Sequence, residues 1–193
     1  MTSILTGVFA SQISGHLYTL TGSYDALATV TVPSGGASSI TFSAIPQTGY
    51  KHLQIRAIAR TTDSSYNQLK VRYNGDTSAN YSSHILEGDG SATGTIAYTG
   101  ATNGVQMWMG LQSGTGQTAG VFGANILDVL DYSNVNKNKT TRSLAGTDGN
   151  GSGYVWFSSG LWMSTSAVSS ITFTTEGGNN FAQYSSFALY GVK

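Results

Sequence analysis

The strongest constraint on this chain is a period of two. Apolar and polar residues alternate in run after run, and the spacing of three and four that marks a helix is almost absent. Ala26, Ala28, Val30 and Val32 share one face of a run whose other face carries Leu27, Thr29 and Thr31. Ile40, Phe42 and Ala44 form the next inward set, closed by Pro46, which has no N–H to give to a ladder. Leu53, Ile55, Ala57 and Ala59 point one way, and His52, Gln54, Arg56 and Arg60 the other. Leu69, Val71 and Tyr73 alternate with Lys70 and Arg72, and further runs lie at 81–86, 105–111, 121–130, 139–145, 154–162, 168–175 and 181–192.

Gly, Asn, Asp and Ser clusters separate these runs, at 34–36, 74–76, 88–90, 149–153 and 177–179. Such residues adopt the positive φ that tight strand connections need. No stretch is long enough for a helical crossover, so the strands should pair antiparallel. The expectation is an all-β, antiparallel β-sandwich of jelly-roll type with about ten strands. Its domain should cover 23–193, after an N-terminal arm or lead-in at 1–22. In that arm Ile4, Leu5, Val8 and Phe9 follow neither period and are candidates for a capsid or subunit interface.

Composition narrows the function. Charged residues make up 9% of the 193 positions, against about 25% in ordinary domains. A surface built from Ser, Thr, Asn, Gln and Gly suits a protein that packs against neighbours. Nine basic and nine acidic residues cancel. The tightest basic group, Lys137, Lys139 and Arg142, sits beside Asp128 and Asp131, so the basic stripe that nucleic acid requires is missing. Cysteine is absent, which excludes disulfides and thiolate metal sites. No apolar run reaches membrane-spanning length, and residues 1–10 lack a signal-peptide pattern. Neither nucleic acid nor membrane is an expected partner, and assembly in a cytoplasm is.

The search for chemistry returns no catalytic, cofactor-binding or metal residue. His16, His52 and His84 lie in separate segments, and no Gly-x-Ser-x-Gly elbow exists. The glycine-rich stretch 114–120 lacks the Lys that would neutralise phosphate. Asp128 and Asp131, three apart, should point to opposite faces of a strand. Residues 148–153 match half a calcium loop, but Ser159 stands where a bidentate Glu is needed, and a hairpin turn explains the same letters. Trp108 and Trp162 are flanked by apolar residues on both sides, which points to core or interface ahead of a sugar-stacking platform.

Several segments resemble a module of tailed-phage virion proteins, including those of cyanobacterial viruses. They are 24–32 (YDALATVTV), 38–48 (SSITFSAIPQT), 50–56 (YKHLQIR), 69–77 (LKVRYNGDT, followed by Asn80 and Tyr81), 142–146 (RSLAG) and 184–193 (YSSFALYGVK). The resemblance implies a jelly roll without catalytic residues. It implies a capsid decoration (cement) protein that binds and stabilises the outer face of the head. The alternative is a tail or tail-fibre module that binds host-surface glycan. Partners implied are further copies of the chain, as a homotrimer, and the major capsid protein or other virion proteins. The location implied is the outer capsid surface, after assembly in the host cytoplasm.

Overall fold

The structure, a computed structural model, describes residues 22–99 and 106–193. Twelve strands form two sheets, and no α-helix occurs among the described residues. The larger sheet holds β1 (Tyr24–Thr31), β3 (His52–Ala59), β5 (Tyr81–Gly88), β6 (Thr93–Thr99), β8 (Gly123–Val129), β9 (Lys139–Asp148), β10 (Gly153–Trp162) and β12 (Ser186–Val192). The smaller holds β2 (Ser39–Phe42), β4 (Asn67–Tyr73), β7 (Met107–Gln112) and β11 (Ile171–Thr175). Their orders are β1-β12-β3-β8-β9-β10-β5-β6 and β2-β11-β4-β7, with every pairing antiparallel.

The chain passes from one sheet to the other at β1–β2, β2–β3, β3–β4, β4–β5, β6–β7, β7–β8, β10–β11 and β11–β12. This wrapping is that of a jelly roll, with β8, β9 and β10 a meander inserted where a simpler one has a single strand. Between the sheets lies a core of Leu53, Ile55, Leu127, Phe187 and Leu189 against Ile40, Phe42, Leu69, Val71, Tyr73 and Phe173. Phe173, Phe187 and Phe181 meet in sequence, with ring centroids 5.4 and 5.0 Å apart. A second cluster, around Ile85, Trp108, Leu111, Ala145 and Trp156, fills the other end.

The alternation holds in β3, where Leu53, Ile55, Ala57 and Ala59 are all buried. It breaks in β7, whose six residues are all buried and whose pairing with β4 slips between Leu69 and Lys70, and at two further places. In β1 a bulge at Leu27 separates Ala26, opposite Tyr190, from Ala28, opposite Leu189. The extra residue shifts the phase: Leu27 and Val30 pack on the core, whereas Ala26 and Ala28 stay exposed. After β2, Ala44 takes a φ of 53° and turns outward, so Ile45 becomes the buried residue. One strand has no counterpart in the sequence pattern. β6 (TGTIAYT) carries a single large aliphatic residue, Ile96, and shows too little apolar alternation to register.

Candidate functional site

Where β7 crosses the middle of β9 and β10, the inward residues are unusually small or polar. Ser143, Ala145, Ser158 and Gly160 face the smaller sheet, because β7 crosses close against them. The Ser143 hydroxyl donates to the Met109 carbonyl at 2.6 Å, and that of Ser158 donates to the Trp108 carbonyl at 3.1 Å. A Cβ at Gly110 would overlap Ala145, and one at Gly160 would stand 2.7 Å from Met107 Sδ. Large side chains do not fit there. Leu144, Val155 and Phe157 occupy the opposite face, while Trp156 and Trp162 flank the small pair of β10 on the inner one.

That outer face is ordered by register. Ile126, Leu144, Phe157 and Leu86 stand directly opposite one another on β8, β9, β10 and β5. They are 42%, 54%, 51% and 54% exposed. The adjacent row runs Ile58, Ala124, Gly146 and Val155 from β3 to β10. Strands about 4.8 Å apart and rows about 7 Å apart make this a patch about 19 Å long. The six large side chains expose on the order of 500 Å² of apolar surface, at the upper end for a monomer and typical of functional patches.

The patch has relief. Ala124 and Gly146 form the floor of a hollow of about 570 Å³, walled by Ile58, Val155, Ile126 and Leu144. Beside it Phe157 and Leu86 stand up as a ridge. Charges around the patch cancel and are held in place. Arg142 Nε donates to Asp128 Oδ2 at 3.0 Å, and Gln54 donates to Asp128 Oδ1 at 2.9 Å. Arg56 lies over the rings of Tyr24 and Tyr190, 5.4 and 4.8 Å from their centroids. Asp148, at the end of β9, carries the second negative charge of this face.

Several other polar groups are tied into the fold. His52 Nδ1 accepts the Asp131 N–H at 3.0 Å, while His84 lies on the outer face. The carbonyls of Gln117, Thr118 and Val121 converge on the buried Arg60 guanidinium at 2.7–3.0 Å. The glycine-rich loop therefore presents oxygens to a cation, the reverse of a phosphate cradle. Trp108, Trp156 and Trp162 are all buried, as their apolar neighbours suggest. In 69–77, the Asn74 carboxamide ties the turn to Ala167, Ser169 and Ser170, and Asp76 accepts from Trp162. Those letters encode a corner of the sandwich.

Asp148 Oδ1 accepts the Asn150 N–H at 2.8 Å, with Asn150 and Gly151 at positive φ, which is a tight hairpin turn. Across a hollow of about 440 Å³ lies Asp89, whose Oδ1 accepts the Ser91 and Ala92 N–H groups. No group of three or more His, Asp or Glu able to hold a metal occurs among the described residues. With half of each carboxylate engaged by its own turn, calcium has too few charged ligands here. Chelator or millimolar calcium should shift Tm by less than about 1 °C, roughly the effect of a few tenths of a kcal/mol in a chain this size. A calcium-dependent rise of several degrees would reinstate the loop as a metal site.

Ile4, Leu5, Val8 and Phe9 lie outside the described residues. The outer patch escapes a period-two reading, yet it leaves a trace. Apolar residues stand side by side at Ile85-Leu86, Ile126-Leu127 and Val155-Trp156-Phe157, so both faces of those strands are apolar. No protein-family model, curated protein or solved structure matches the chain, and the patch is the feature on which a functional reading rests.

Proposed function

We propose that this is a non-enzymatic virion structural protein of a tailed bacteriophage, acting as a decoration (cement) protein on the outer surface of the head. The observation that carries an assembly role is the electroneutral apolar patch on the eight-stranded sheet, framed by charges that already have partners. Such a surface is costly in water and suits protein contact. The phage setting rests on the resemblance of segments 24–32, 38–48 and 69–77 to virion modules. In this reading copies associate as a homotrimer, and the arm with Ile4, Leu5, Val8 and Phe9 grips the shell of major capsid protein.

The test is co-sedimentation of the full chain with mature heads, scored for copy number. Saturable binding at a fixed stoichiometry, with no retention on host polysaccharide, supports decoration. Few copies per particle together with glycan binding would replace it by the tail-fibre alternative. Deleting residues 1–12 should leave the melting curve unchanged and weaken head binding at least tenfold, because four apolar contacts are lost. Head binding at full strength by the truncated chain would remove the arm from the mechanism.

A further inference from the structure

The outer patch joins a ridge and a hollow of the same apolar chemistry on one face. Phe157 and Leu86 project from β10 and β5, and Ala124 and Gly146 floor the hollow over β8 and β9. We infer that the occupant of this patch is another copy of the chain, with the Phe157–Leu86 ridge of one copy seated in the Ala124–Gly146 hollow of the next. The inference rests on reading the face as an assembly surface and names its partner.

Three observations favour a second copy over an unrelated chain. The complementary shapes are both present on this one face, about two strand spacings apart, so a rotation axis beside the sheet brings one onto the other. The same pairing serves a closed ring of three. Charge does not oppose it, since Arg56, Arg142, Asp128 and Asp148 on this face sum to zero and Arg142 is paired with Asp128. Two identical surfaces of net charge would repel. Area is sufficient: about 500 Å² of apolar surface with its polar rim approaches the roughly 800 Å² per partner of a stable interface.

The test uses the full chain at tens of micromolar, with mass measured by light scattering after gel filtration. The wild type should run as a multiple of 20.2 kDa. Phe157→Asp, which removes the ridge, should run as a monomer with an unchanged circular dichroism spectrum. Gly146→Leu fills the hollow, and its Cβ would meet nothing closer than the Tyr154 carbonyl at 3.9 Å. It should weaken association at least tenfold while the sandwich stays folded.

Because the chain has no cysteine, a disulfide reports the seating directly. Phe157→Cys mixed with Ala124→Cys should give covalent dimers on oxidation, and each variant alone should give none. A monomeric wild type, an unshifted mass for Phe157→Asp, or cross-links within either single-variant sample each overturn the inference. Head binding separates this from the decoration reading. A monomer that still coats heads sinks the inference alone, and a multimer that ignores heads sinks the decoration reading alone.

Discussion

Replacing Lys139 by Met is expected to cost about 3–5 kcal/mol of stability, close to what breaking a buried charged network costs elsewhere. Lys139 opens β9 and is fully buried, an unusual place for an ammonium. Its Nζ donates to the carbonyls of Asn134, Lys137 and Thr165 at 2.7, 2.7 and 3.1 Å. Burial pushes its pKa down, and Asp131 works in the opposite direction. The ammonium gathers the β8–β9 loop and ties it to the segment before β11. Met fills much of the same volume, so the loss is polar: three carbonyls lose a charged donor, and each such bond contributes about 1.5–3 kcal/mol without full additivity. Chemical denaturation reads the change as a lower urea midpoint at constant slope. A loss under about 1 kcal/mol would mean that water takes over all three carbonyls.

Asp76→Asn should cost about 2 kcal/mol at pH 6 and almost nothing at pH 2. Burial alone would raise the Asp76 pKa. Donation from Asn80, Ser78 and Trp162 outweighs it and brings the group to about 2, from 3.8. The distances are 2.9 Å from Asn80 Nδ2, 2.8 Å from the Ser78 N–H and 2.7 Å from Trp162 Nε1. The folded form thus prefers the carboxylate. Its contribution is complete above the unfolded value near 3.8 and is lost as pH falls through about 2. A shift of this size corresponds to somewhat over 2 kcal/mol, reduced by the partial exposure of the carboxylate. Other carboxylates also titrate in acid, so the measured quantity is the gap between wild type and Asp76→Asn. That gap should narrow below about 0.5 kcal/mol at pH 2. A gap independent of pH would show that Trp162 and Asn80 need only a neutral acceptor.

Alternation and turn chemistry were enough to specify an antiparallel, all-β sandwich and to place most of its strands. The inward set of β3 follows directly from the letters, because Leu53, Ile55, Ala57 and Ala59 leave one face apolar and Gln54 and Arg56 the other. Local backbone events moved single residues. The bulge at Leu27 and the positive φ at Ala44 each shift one step of a period that has only two. The weak strand β6 forms because β5 offers a paired edge, an opportunity its own residues do not announce.

The candidate site lay further from the sequence. A period of two says which residues share a face and is silent on which face is inside. In β9 and β10 the close crossing of β7 decided it, requiring Ser143, Ala145, Ser158 and Gly160 inward and sending Leu144, Val155 and Phe157 out. The patch also depends on neighbours far apart in the chain. Leu86 meets Phe157 only because the jelly-roll winding sets β5 beside β10, and Ile58 joins the same surface only because β3 lies beside β8. Sequence determined the kind of sheet and where its strands run. Tertiary structure decided the sign of each face, because steric room between two sheets belongs to their packing and is written in no single strand.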